Sequence, residues 1–259
     1  MRYNASYPYI IFIFLLTMKL FVATPAYGGN VHVQYMKSML SLQSRLSEEN
    51  IGFEFFTVPF DSLIPRARNV CAMQFLKSDA THLIFIDADI VFNPDYVIRM
   101  LHSQKELVCG IYAKKAIDFD KVKQVAPKCK DMKELTELCA RYNVNLSPTD
   151  SALQDGFLKV NYAPTGFMMI QKEALRTFVD EHPELEYKND IRGYGFGDPC
   201  YDIFKCGVVN SRYLSEDYYF CHLWKQSKRD VWVDFKTNLG HIGPLVYHSN
   251  MLRLFQASS

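Results

Sequence analysis

Two carboxylates one residue apart close an apolar run, Thr81-His-Leu-Ile-Phe-Ile-Asp87-Ala88-Asp89. Leu83 to Ile86 predicts a buried strand, and Asn93-Pro94 predicts the turn and helix start that follow. A buried parallel strand delivers its last residues to the carboxyl edge of a sheet, where α/β proteins hold ligands. If the two-residue repeat of the strand continues, Asp87 and Asp89 point to the same side. Neighbouring carboxylates repel, and a cation between them, or between one of them and a phosphate, relieves that repulsion. Metal-assisted handling of a phosphate is the chemistry this pair suits. Two solvated aspartates in a strand-end turn are the plainer alternative.

Three other segments carry groups that suit such a site. Pro65-Arg66-Ala-Arg68-Asn69 opens a predicted helix with two guanidinium groups, each able to bond a phosphate or a base carbonyl with two parallel N–H groups. Either arginine equally suits an exposed helix surface. Ser215-Glu216-Asp217 places two acids at a predicted helix start, which fits a general base and also an ordinary N-cap with acids in the first turn. Late in the chain, Gly240-His241-Ile-Gly243 sets an imidazole between glycines, a candidate metal ligand, with His248 as a weaker competitor.

The elements that must position these groups follow from periodicity. Leu20 to Thr24 predicts a strand, Val31 to Asn50 a helix stopped by Gly52, and Phe53 to Val58 a second strand. Leu63 to Lys77 predicts a helix with Pro65 in its first turn. The strand before Asp87, a helix after Pro94 and a strand at Leu107 to Tyr112 complete an alternation that implies a largely parallel α/β sheet. The rhythm then changes. Ala113 to Lys130 carries six lysines with little periodicity and predicts a loop or lid. Strands are expected at Phe157 to Tyr162, Phe167 to Ile170 and Val231 to Val233, and helices at Lys172 to Asp180 and after Ser215.

Bulk properties narrow the classes. At 259 residues the chain suits one large α/β domain. Its net charge of +1 gives no global field to recruit nucleic acid or acidic lipid. Seven cysteines without a CxxC pair indicate neither a disulfide framework nor a cysteine zinc site, so a reducing, cytoplasmic setting is expected. Ile10 to Leu16 is an unbroken apolar run, far short of the roughly 20 residues that span a bilayer. A signal peptide with a site near Ala23-Thr-Pro-Ala26 would remove part of the first core strand. The expected organisation is therefore a dispensable extension over 1–17, with Met18 as a possible start, and one soluble domain over 18–259. Residues 18–112 read as a nucleotide-type first half and 113–259 as an irregular second half.

Taken together, these segments resemble the GT-A glycosyltransferases, with a family-2-like character. Val22-Ala-Thr24-Pro25-Ala26-Tyr27-Gly-Gly resembles the turn that cradles the nucleotide, Pro65 to Asn69 the "ARN" helix start, and Asp87-Ala88-Asp89 the DxD motif. Thr165-Gly166-Phe167 looks like the strand flanking the donor sugar, Ser215 to Asp217 like the xED motif of inverting members, and His241 like a third metal ligand. The resemblance implies a single GT-A domain with a Rossmann-like, mostly parallel mixed sheet flanked by helices, with 18–112 as its nucleotide-binding half and 113–259 as its acceptor-binding half. It also implies a nucleotide-diphosphate sugar donor, a glycan or glycoconjugate acceptor, and Mn²⁺ or Mg²⁺ at Asp87, Asp89 and His241. Thr24 to Tyr27, Arg66, Arg68, Asp87 to Asp89 and Gly166 would hold the donor. Asp217 would be the general base, with Glu216 second, and Gly193 to Asp198 would order over the acceptor.

Two rivals remain. Asp87-Ala-Asp89-Ile-Val91 also fits the DxDx[TV] pattern of haloacid-dehalogenase-like phosphatases, with Gly197-Asp198-Pro-Cys-Tyr-Asp202 as their later acidic motif, although at least two strand–helix units precede Asp87 here. The fold alone would equally permit a catalytically idle nucleotide-sugar binder.

Overall fold

The computed structural model describes residues 18–146, 152–251 and 253. The apolar run Ile10 to Leu16, and with it the expected extension over 1–17, lies outside the described residues. Eight strands form the main sheet, in the order Gly52–Pro59, Lys19–Ala26, His82–Ile86, Phe167–Gln171, Leu107–Gly110, Val231–Asp234, Phe157–Tyr162, Asn145–Leu146. The first three are parallel neighbours. Phe167–Gln171 runs antiparallel to both strands beside it, as does Phe157–Tyr162, so the sheet is mixed at its centre and at one edge.

Alternation explains why these strands read as continuous apolar runs. Phe21, Leu83, Phe85, Met168 and Ile170 face one core, while Leu20, Val22, Ile84, Ile86 and Met169 face a second on the other side. Both faces are buried, as expected of the middle of an α/β sheet. Helices Ile64–Lys77, Lys172–Asp180 and Glu216–Gln226 cover the first face. Helices Val33–Glu48 and Pro94–His102 cover the second.

Most element expectations hold, and two local ones are corrected. The first helix is stopped by Asn50, which takes the left-handed conformation at φ 55°, and not by Gly52, which already begins the next strand. Asparagine tolerates that region because its short side chain bonds locally. The lysine-rich stretch is structured: Ala113–Ile117 pairs with Ala140–Tyr142, and Phe119–Val125 is helical. No alternation shows in its sequence because only Ala113 of that strand is buried, with Lys114 and Lys115 both exposed. Among the described residues no helix is long and apolar enough to cross a membrane. All seven cysteines are free.

Candidate active site

Asp87 follows directly on the strand His82–Ile86, and the chain then turns, with the Ile90 N–H donating to the Asp87 carbonyl at 3.0 Å. That turn breaks the two-residue repeat, so the two carboxylates share a cleft yet face different partners. Asp87 accepts from Arg68 Nη2 at 2.9 Å. Asp89 is paired through Oδ2 with Lys115, while its Oδ1 stands 3.6 Å from His241 Nε2.

His241 reaches Asp89 through a small second sheet, in which Gly240–Ile242 pairs antiparallel with Ile90–Val91. The Ile242 N–H also donates to the Asp89 carbonyl at 2.8 Å. On the far side of the ring, His241 Nδ1 lies 2.8 Å from the Ala113 carbonyl oxygen. A carbonyl can only accept, so Nδ1 carries the proton, and in the neutral ring Nε2 presents its lone pair to Asp89. Burial pushes the Asp89 carboxyl up, but His241, in its protonated form with Nε2 donating, and Lys115 outweigh that and hold it at about 2.

The other wall of the cleft is built on the helix Ile64–Lys77. Arg68 is buried, its Nε and Nη1 lack a hydrogen-bond partner, and its Nε lies 3.7 Å from Glu216 Oε1. A buried guanidinium with spare donors fits an anionic ligand. Burial works against its charge, but Asp87 and Glu216 more than compensate and keep it firmly cationic. Pro25 and Ala26 at the end of the first strand, with Tyr27 and Gly28 just past it, complete the cleft, whose volume is about 460 Å³. A second groove of about 430 Å³, between the helix Val33–Glu48 and the edge strand Gly52–Pro59, has no carboxylate or cationic side chain in its lining.

Gly166 belongs to the same site. Its carbonyl accepts from the Asp87 N–H at 3.0 Å and its own N–H donates to the Tyr112 hydroxyl at 3.1 Å. A Cβ here would collide with the Tyr112 oxygen and lie 2.6 Å from Asp87 Oδ2. Only glycine lets the backbone approach this closely.

The acidic helix start divides its roles. Glu216 opens into the cleft, and burial raises its carboxyl above the ordinary range, with Arg68 opposing and Asp217 reinforcing. Asp217 is buried: its Oδ1 accepts from the Ser215 hydroxyl and from the Tyr218 N–H at 2.8 Å, and its Oδ2 from Asn143 Nδ2 at 3.1 Å. Ser215 makes no side-chain cap to the helix backbone; its hydroxyl serves Asp217.

Other expected residues lie elsewhere. Arg66 forms a two-pronged pair with Asp61 and lines a different depression, beside Tyr187 and Asp202, because residues two apart on a helix face nearly opposite ways. Thr24 is wholly buried, bonding Tyr35 and the Ile86 carbonyl. The Gly193 to Asp198 stretch packs near the far end of the helix Ile64–Lys77, with the Tyr194 carbonyl bonded by Gln74 and Asp198 paired with Lys77. From Arg68 to Lys77 is roughly 13 Å along the helix, which sets Asp198 well away from Asp87. Asp202 is held by Asn69 at 2.8 Å.

Of the three expected metal ligands, Asp87 is engaged by Arg68, while Asp89 and His241 face each other. Among the described residues no group of three or more His, Cys, Asp or Glu is arranged to hold a metal ion. A carboxylate oxygen and an imidazole lone pair facing each other nevertheless suit a divalent ion that takes its remaining ligands from a diphosphate and water. Sequence reasoning missed Tyr112, Lys115 and Asn143. Tyr112 had a signal, since it lies just past a strand parallel in direction to that of Asp87. Nothing distinguishes Lys115 from its five lysine neighbours in the sequence.

No protein-family profile matches the chain, and no curated protein is significantly similar to it. Among solved structures it is similar to protein A197 from STIV, at 16% identity and a TM-score of 0.49, over 87% of this chain and 86% of that one. It is also similar to the inositol-1-phosphate CTP transferase from T. maritima, at 8% identity and a TM-score of 0.41, over 88% and 89%. A glycosyltransferase involved in the glycosylation of the major capsid of PBCV-1 aligns at 9% identity and a TM-score of 0.32, over 64% and 66%.

Proposed function

We propose that this protein is an inverting, metal-dependent glycosyltransferase that moves a sugar from a nucleotide-diphosphate donor to a hydroxyl of a glycan or glycoconjugate. The observation that carries this reading is one cleft lined on one side by Asp89, which faces His241 behind it, and on the other by a buried guanidinium beside Glu216. The acceptor oxygen attacks the anomeric carbon, the bond from that carbon to the diphosphate oxygen breaks, and the acceptor proton passes to a carboxylate. Charge grows on the leaving diphosphate, and preorganised positive groups lower the barrier by meeting it. Mn²⁺ or Mg²⁺ held by Asp89 and His241 would supply that charge as a Lewis acid. Arg68 adds a fixed cation and sets the orientation of Asp87, whose carboxylate suits a donor hydroxyl.

Glu216 is the better-placed base, since it opens into the cleft and is raised towards the pH at which a base works. Asp217, which accepts three hydrogen bonds, then acts as a positioning residue for the helix start and Asn143. The test is a donor panel read as acceptor-dependent release of nucleoside diphosphate with Mn²⁺, together with the anomeric configuration of the product. Phosphate release without acceptor would favour the phosphatase. Donor binding without turnover over all acceptors would favour an idle binder.

A further inference from the structure

Lys115 holds a position that neither the motif nor the donor site explains. It stands on the strand Ala113–Ile117, whose first residue also accepts the His241 Nδ1 proton. One short strand therefore both orients the imidazole and delivers an ammonium group to the carboxylate opposite it. Lys115 pairs with Asp89 Oδ2, while His241 faces Oδ1, so each oxygen of Asp89 is matched with one nitrogen. The lysine stem runs over Gly243, where an added Cβ would come within 3.1 Å of Lys115 Cδ. Any larger residue at 243 would press against that stem.

We propose that Lys115 is an internal cation that competes with a divalent ion for Asp89. The inference rests on the reading of Asp89 and His241 as a cation-binding pair. With the ammonium in place, one oxygen of Asp89 is taken and a second positive charge within contact distance is repelled. Metal alone binds the free protein weakly. A donor diphosphate offers the ammonium an alternative partner, so metal and donor enter together. Lys115 is then a further positioning residue of the donor site, ordering metal and nucleotide sugar in time.

The experiment measures Mn²⁺ binding directly, from the free-ion electron paramagnetic resonance signal, on the full chain without donor. Lys115→Met, which keeps the stem and removes the charge, should bind Mn²⁺ about tenfold or more tightly than wild type, since a unit charge at contact distance changes an ion's affinity by at least that factor. Lys115→Arg, which keeps the charge, should show no such gain. Should Lys115→Met fail to fold, Lys115→Gln carries the same comparison. Equal or weaker Mn²⁺ binding by a folded, uncharged variant overturns the inference, as does absence of Mn²⁺ binding in both proteins. Failure of the glycosyl-transfer reading would appear separately, as no nucleoside diphosphate release by wild type over the donor panel.

Discussion

His241 Nε2 stands 3.6 Å from Asp89 Oδ1, although the two residues come from distant parts of the chain. Pairing of Gly240–Ile242 with Ile90–Val91 fixes the spacing, and the Ala113 carbonyl fixes which nitrogen faces inward. The pair is thus set by backbone contacts from two other segments of the chain.

Replacing Asp89 with Asn keeps the shape and removes the charge that a metal and Lys115 share. Mn²⁺ affinity and transfer should both fall, transfer by about 10²-fold or more, the scale on which a preorganised electrostatic group is lost. Mn²⁺ titration and donor turnover check this, and an Asp89→Asn enzyme fully active in excess chelator would sink the metal assignment.

The two acids at the helix start separate by their kinetics. Glu216→Gln should lower kcat by about 10²-fold, the contribution of a general base, with donor affinity kept. Asp217→Asn should mainly loosen the Asn143 and Ser215 contacts, showing a lower melting temperature with a smaller loss of turnover. The reverse pattern would give the base role to Asp217.

Acid pH should reveal Glu216 in the rate. Its raised carboxyl must be ionised to accept a proton, so the acid limb of kcat/KM should lie above 4.5, the ordinary glutamate value, and disappear in Glu216→Gln. Asp89 acts on stability in the opposite sense. Depressed from 3.8 to about 2, it contributes stability that is present above 3.8 and lost as pH falls towards about 2. Denaturant melts of wild type and Asp89→Asn should therefore converge across that window, from a difference of up to about 2 kcal/mol.

Gly166→Ala tests the close approach behind Asp87. The new methyl would press on Tyr112 and the Asp87 carboxylate, costing about 1–3 kcal/mol as overpacking does. Donor binding should weaken beyond what the stability loss explains, because Asp87 must move. Unchanged donor affinity would remove Gly166 from the site.

The carboxyl-edge placement of Asp87, the helix start at Glu216 and the strands around them were legible because each depends on local periodicity. Arg66 and Arg68 could not be ranked, since the sequence shows two arginines and only the fold shows which one turns inward. The different partners of Asp87 and Asp89 depend on a turn that begins at Asp87, directly after the strand, and that periodicity does not show. Lys115 was hidden for a different reason: its partner is a carboxylate far back in the chain, and the strand that carries it has too little buried alternation to be seen.

The antiparallel strand Phe167–Gln171 lies between His82–Ile86 and Leu107–Gly110. The two strands it joins are complete before it is synthesised, and until it arrives their facing edges are open templates for another chain. Residues 18–112 thus make no closed sheet of their own. Folding must wait for a long-range insertion, which slows it and exposes the nascent chain to aggregation. Expressed alone, the amino-terminal half should collect as insoluble, strand-paired material, and co-expression of the remaining chain should bring it back into solution.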